Sequence, residues 1–225
     1  MYILPTLNIL FENENFFLLD KPAGQLSIPG RFDDLLTSES LLNLLTEKLK
    51  RKVFVVHRLD REVSGLILFA KNPHAHMTAS QWFENRTVVK KYEALTELQT
   101  DAWPEPHSKY HWESFLLKGK KRAYEKPFGK KSVTEAEFIG GEKFKEATVG
   151  RWLLEPKTGR SHQLRFELFK HFFPILGDEL YGAKTPFPSG IALRAISLDF
   201  SKCSQSSNLG LKPNYSVASN FQKMI

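Results

Sequence analysis

Nine short runs of β-branched and aromatic residues, each closed by a turn signal, leave little room for a helical fold. They are Leu7 to Phe11, Phe16 to Leu19, Val53 to Val56, Gly65 to Ala70, Val88 to Leu98, His111 to Lys118, Val133 to Ile139, Thr148 to Leu154 and Ile191 to Phe200. Helical spacing occurs in three places. A cap at Thr37 or Ser38 would open a helix through Leu49, with Leu41, Leu42, Leu44, Leu45 and Leu49 on one face. Asn72-Pro73 reads as an N-cap followed by proline in the first turn of a helix to about Asn85. A third helix is expected from Ser161 to about Lys170. Many strands and few helices, without strict alternation, indicate an α+β fold: a largely antiparallel mixed β-sheet core with flanking helices.

At about 150 residues per domain, 225 residues suggest one elaborated domain or one domain with a small appendage. Lys+Arg 32 against Asp+Glu 25 leaves a net charge of +7, which favours a polyanionic partner. The single cysteine, Cys203, excludes an internal disulfide and cysteine-based zinc. The N-terminus lacks the basic-then-apolar pattern of a signal peptide, and no apolar run is long enough to cross a membrane as a helix. The expectation is a cytoplasmic protein, without membrane or metal, and a monomer. Trp103 to Tyr110 and Ser201 to Asn214 read as exposed loops or connectors. Lys118 to Lys131 carries seven basic residues and one acidic, Lys120, Lys121 and Arg122 among them. It is either a solvated hairpin tip or a phosphate-contacting patch on which Tyr124 or Phe128 offers a stacking surface.

The most information-dense stretch is His57-Arg58-Leu59-Asp60-Arg61-Glu62-Val63-Ser64-Gly65-Leu66, a polar loop between two apolar strands. Four charged side chains crowded at strand ends are either a structural ion network or a site. Asp60, flanked by Arg58 and Arg61, has neighbours that favour its ionised form, fit for a nucleophile or base. A second stretch, Lys157-Thr158-Gly159-Arg160-Ser161-His162-Gln163-Leu164-Arg165, is a strand end, a turn and a helix start, suited to a nucleic-acid backbone. Arg165 is either a surface arginine or a partner for Asp60. Asp20-Lys21-Pro22-Ala23-Gly24 is a strand leaving the core through a turn, and Tyr92 sits on a strand sharing a face with Lys90 and Ala94. His107 and His111 have ligand-like spacing, but no third ligand accompanies them and no dinucleotide signature occurs.

HRLDREVSGL, DKPAG, KKYEAL, PKTGRSHQLR and ILGDELYG, in this order across residues 20 to 182, resemble the RluA-type RNA pseudouridine synthases. The resemblance implies a pseudouridine synthase-like fold with a central RNA-binding cleft, in a single catalytic domain over residues 1–225 without a separate N-terminal RNA-binding domain. It implies isomerisation of uridine to pseudouridine in ribosomal or transfer RNA, with Asp60 as the essential aspartate, Tyr92 against the base and Arg165 orienting Asp60. Arg58 would fill the gap left by a flipped nucleotide. Lys21, Arg160, His162 and Gln163 would support the site or face the RNA backbone. No cofactor is implied. Val63 stands where threonine is usual and Arg194 where many relatives carry histidine. A non-catalytic RNA-binding or ribosome-assembly protein is the alternative, and a glycosidase using Asp60 with Glu62 or Glu155 a more distant one.

Overall fold

The computed structural model describes residues 7–30, 40–99, 102–219 and 221. The chain forms two compact units, one from the residues up to Val89 together with Ser197–Val217, the other from Lys90–Ile196 and the chain end. No described helix is long and apolar enough to cross a membrane.

In the first unit β1 (Ile9–Glu12) pairs with β2 (Phe16–Lys21), and β2 with β4 (Ser64–Ala70), all antiparallel. The two-residue strand β3 (Phe54–Val55) also pairs with β4. Phe16 to Leu19 and Leu66 to Ala70 are wholly buried, which explains why both strands read as unbroken apolar runs rather than alternating ones. The β2–β4 register runs from Phe16 opposite Ala70 to Lys21 opposite Gly65. It therefore brings the end of β2 to the start of β4, where the polar loop enters. Helix α1 (Leu41–Leu49) is capped by Ser40, whose hydroxyl accepts from the Asn43 amide at 3.3 Å, and buries Leu41, Leu44 and Leu45. The expected caps Thr37 and Ser38 lie outside the described residues. Helix α2 (Pro73–Glu84) has the anticipated Asn72 cap, which accepts from Ala75 N–H at 2.8 Å.

The tail after Phe200 is mostly exposed, as expected, yet it carries three buried anchors. Cys203, Leu209 and Leu211 are buried in the same core as Phe16, Leu68, Trp82 and Phe200, and Asn13 and Asn15 donate to the Leu209 carbonyl at 2.9 and 3.2 Å. Its polar composition hid three apolar anchors too widely spaced for either period.

The second unit is an antiparallel sheet in the order β5 (Val89–Thr96), β9 (Ala147–Pro156), β8 (Lys130–Phe144), β6 (Lys109–Lys118), β7 (Ala123–Glu125). Strand β8 is longer than its sequence pattern because a register shift between Phe138 and Gly140 lets it continue past the break. Helix α3 (Gln163–Lys170) starts two residues later than expected, since His162 holds a left-handed φ of 53° that ends the preceding turn. A 3-10 turn (Glu179–Tyr181) follows. Strand β10 (Leu193–Asp199) runs from this unit into the first, where Ser197 to Asp199 pair with β11 (Asn214–Ser216).

An aromatic cluster fills this core. Trp152 packs on Phe138, Trp112 and Phe173, and its indole N–H donates to Thr96 Oγ1 at 3.0 Å. Trp103, expected in an exposed loop, instead stacks on Phe138 and Phe173 with ring centroids 5.6 and 5.8 Å away. Gly150 makes room for it: a Cβ there would run into the rings of Trp103 and Phe138. Gly150→Ala is therefore expected to destabilise the fold by about 1–3 kcal/mol through overpacking, read as a lower denaturation midpoint in urea.

Candidate active site

In the first unit the Asp60 loop is fastened from three sides. Leu59 and Val63 point into the core, 5% and 3% exposed, and bracket a turn closed by the Val63 N–H on the Asp60 carbonyl at 3.2 Å. Ser27 Oγ donates to the Leu59 carbonyl at 2.8 Å and accepts from its N–H at 3.2 Å. The Gly24 N–H donates to the Arg61 carbonyl at 2.8 Å, and Arg61 Nε returns to the Gly24 carbonyl at 3.0 Å. Between the two apolar anchors Asp60 is half-buried, and Arg58 beside it is exposed.

Lys21 completes the fastening. It is wholly buried, and its ammonium donates to the carbonyls of Pro22 (2.9 Å), Gln25 (2.8 Å) and Arg61 (3.1 Å). Of the two roles expected of it, supporting the site or facing the RNA backbone, that geometry fits the first: the charge is spent on the backbone of the aspartate loop. Burial lowers the Lys21 pKa to about 7, against the opposing pull of the Glu62 and Asp60 charges.

The threonine-to-valine departure at position 63 has a structural answer as well. Val63 serves as an apolar anchor, while the polar fastening comes from Ser27, Gly24 and Lys21. His57 belongs to the scaffold, since Nε2 accepts the Leu68 N–H at 3.0 Å and the ring stacks on Phe83 at 4.4 Å.

In the second unit Arg165 is no surface arginine. It is 3% exposed and grips Asp178, 1% exposed, through two parallel bonds of 2.7 Å, from Nε to Oδ2 and from a terminal nitrogen to Oδ1. Its guanidinium lies 5.4 Å over the Tyr181 ring. The Tyr181 hydroxyl accepts the Ala123 N–H at 2.8 Å and lies 3.3 Å from His162 Nδ1. Asp178 and Tyr181 were not singled out as functional residues. Their signal was present in ILGDELYG, where an acid and a tyrosine three residues on meet one guanidinium.

Gln163, expected either to support the site or to face the RNA backbone, is a buried staple. Its Oε1 accepts from Thr158 Oγ1 (2.7 Å) and Arg160 N–H (3.0 Å), and its Nε2 donates to the Val133 carbonyl and Thr134 Oγ1, both at 2.9 Å. Arg160 is half-buried and donates from Nε to the Lys131 carbonyl at 2.8 Å. His162 is half-buried, as is Tyr92, which lies on β5 opposite Leu154. Lys120, Lys121 and Arg122 are exposed in the β6–β7 turn. His107 meets Glu137 at 3.3 Å, and His111 meets Glu135 at 2.7 Å and Glu113 at 3.2 Å. Among the described residues no group of three is placed to hold a metal.

The Lys21 geometry has a pH signature. The folded-state pKa of about 7 lies below the ordinary 10.5, so between these values the unfolded chain carries the extra proton and stability rises with pH. Lys21→Met removes this term. The melting temperature of the wild type minus that of Lys21→Met is expected to grow from about pH 7 to about pH 9, measured by differential scanning calorimetry.

Residues 15–171 match the family model for RNA pseudouridylate synthase. The chain is 34% identical over 185 residues to ribosomal large subunit pseudouridine synthase D of Borreliella burgdorferi, covering 77% of this chain and only 54% of that protein, about half its length. It is 32% identical over 214 residues to the dual-specificity RNA pseudouridine synthase RluA of Vibrio vulnificus, covering 87% of this chain and 78% of that protein. In fold it is similar to human RNA pseudouridylate synthase domain containing 1, with a TM-score of 0.71 at 23% identity over 88% of this chain and 80% of that one. The family model covers more than half of the chain and takes in the loop and helix built above: this protein belongs to the RluA-type RNA pseudouridine synthase family.

Proposed function

We propose that this protein is an RNA pseudouridine synthase that isomerises uridine in structured RNA, with Asp60 as its essential carboxylate. The observation that carries the reading is the Asp60 loop itself, in a chain of this family. One half-buried carboxylate stands on a turn anchored by two buried apolar side chains and held by Lys21, Ser27 and Gly24. Such fastening supports a reacting group whose orientation must not drift.

The reaction breaks the C1′–N1 bond, turns the uracil while it stays bound and rejoins it through C5. Atoms and electrons balance within the nucleotide, so the chemistry calls for neither a redox cofactor nor a metal. Asp60 acts in its ionised form, by attack on carbon or by taking a proton from the ribose. The target base is extruded at a cost of a few kcal/mol. Arg58, exposed next to Asp60, offers a guanidinium plane to the vacated stack. Tyr92 packs on the flipped uracil, and Arg165 keeps the role that family resemblance gives it. Arg160, His162, Lys120, Lys121 and Arg122 contribute to RNA binding, while Lys21 and Gln163 act from within the scaffold. The name of the Borreliella burgdorferi relative supports a ribosomal substrate, and transfer RNA is the second candidate. Action as a cytoplasmic monomer with a single catalytic domain belongs to the same reading.

Asp60→Ala is expected to abolish tritium release from RNA labelled at uracil C5 while RNA binding persists. Turnover near that of wild type would remove Asp60 from the mechanism. Arg165→Lys, which keeps the charge and loses the planar fork, is expected to lower turnover at least tenfold with a much smaller change in RNA affinity, roughly the loss of one bidentate contact. An equal fall in both would make Arg165 chiefly an RNA contact.

A further inference from the structure

One face of the second unit's sheet is covered and the other is not. On the covered side of β6, β7 and β8, Ser114 and Ser132 donate to the buried Glu167 of α3 at 3.1 and 3.2 Å, and Ala123 donates to Tyr181. The strand pairs Phe115 with Lys131 and Leu117 with Tyr124 put those four residues on the opposite, outward face. There Phe115 is 44% and Tyr124 42% exposed, and Phe128 in the adjoining turn is 76% exposed. Three aromatic rings left open on one short hairpin are costly in water unless something covers them.

The surrounding charge identifies the occupant. Glu125, the acid of the segment, is paired with Lys170 at 2.9 Å, and Lys131 with Glu113 at 2.7 Å. In the two turns Lys120, Lys121, Arg122 and Lys126 have no acidic partner among the described residues, and neither do Lys118 and Lys130, which alternation places on the covered side. Rings set among unpaired cations suit a polyanion that also carries flat apolar faces. In duplex RNA the base faces are already stacked on each other, so a duplex would use the lysines and leave the rings idle. In an unpaired strand both are used.

The frame is stiff. The turn closes through the Gly129 N–H on the Lys126 carbonyl (2.8 Å) and the Lys126 N–H on the Phe115 carbonyl (2.9 Å). A Cβ at Gly129 would strike the Phe115 backbone at 2.5 Å, and one at Gly119 would strike the Arg122 carbonyl at 2.5 Å. The rings are thus presented by a closed hairpin rather than by a loose loop.

We propose that this outward face, with Phe115 and Tyr124 as its rings and Phe128 exposed in the adjoining turn, is a stacking platform for unpaired nucleotides flanking the target, so that the enzyme selects loop or single-stranded RNA over duplex. The inference rests on the RNA-modifying function above and specifies its substrate class.

The test uses the full chain, an unstructured 12-nucleotide RNA and a 12-base-pair RNA duplex, with binding read by fluorescence anisotropy at fixed salt. Wild type is expected to favour the single strand. Phe128→Ala and Tyr124→Ala, both at exposed positions, are each expected to weaken single-strand binding about tenfold with duplex binding unchanged. Replacing Lys120, Lys121 and Arg122 by alanine is expected to weaken both and flatten the salt dependence. Aromatic variants that leave both affinities unchanged, or lower both equally, would overturn the platform. So would a concentration-dependent dimer that Phe128→Ala dissolves, since the face would then belong to a second copy. Tritium release by wild type from a uridine-containing hairpin separates the two levels: turnover with neutral aromatic variants sinks the platform alone, and no turnover sinks the function together with it.

Discussion

A lysine ammonium with no access to water is tolerated only where fixed dipoles replace its hydration shell. At Lys21 three backbone carbonyls do so, and one of them, that of Arg61, belongs to the loop that carries Asp60. The ion therefore acts as a clasp between the turn after β2 and the loop before β4. The β2–β4 register supplies the alignment, setting Lys21 across from Gly65. The apolar anchors Leu59 and Val63 fix the loop's depth, and the clasp fixes its height and rotation. Without the ion the Arg61 carbonyl would keep only its bond from Gly24 and lose the shared donor that joins it to Pro22 and Gln25.

The second unit solves the same problem by different means. Arg165 projects from the first turn of α3, and its planar fork is matched by the two oxygens of Asp178 over the Tyr181 ring. The helix start is set by Gln163, whose amide is fully engaged by the neighbouring strand and turn. Deeper along the same helix, burial raises the pKa of Glu167, and the Ser114 and Ser132 hydroxyls counter it. Arg165 is tied to the turn at Asp178, and Glu167 and Lys170 to neighbouring strands, so the helix is held at several points along its length.

Strand content, antiparallel pairing and the Asn72-Pro73 helix start were legible because they rest on local patterns. The position of Asp60 between two apolar strands was legible for the same reason. What escaped was the direction in which long polar side chains point. Lys21 and Gln163 look like any exposed lysine or glutamine in a loop, and only the tertiary structure turns them inward. Asp178 lies thirteen residues beyond Arg165, a separation that no helical or strand period encodes. Trp103 and the residues from Cys203 to Leu211 were misread because composition marks a segment as polar without marking the one or two apolar side chains that anchor it.

The anchoring of that tail bears on how the polypeptide is made. The core that holds β2 and β4 also needs Leu198, Phe200, Cys203, Leu209 and Leu211, which emerge from the ribosome more than a hundred residues after β4. The intervening sheet can close while the earlier strands wait with an unfinished core. Premature termination anywhere before Leu211 would thus leave the leading segment adhesive, a liability answered by rapid elongation or by a chaperone holding the nascent strands.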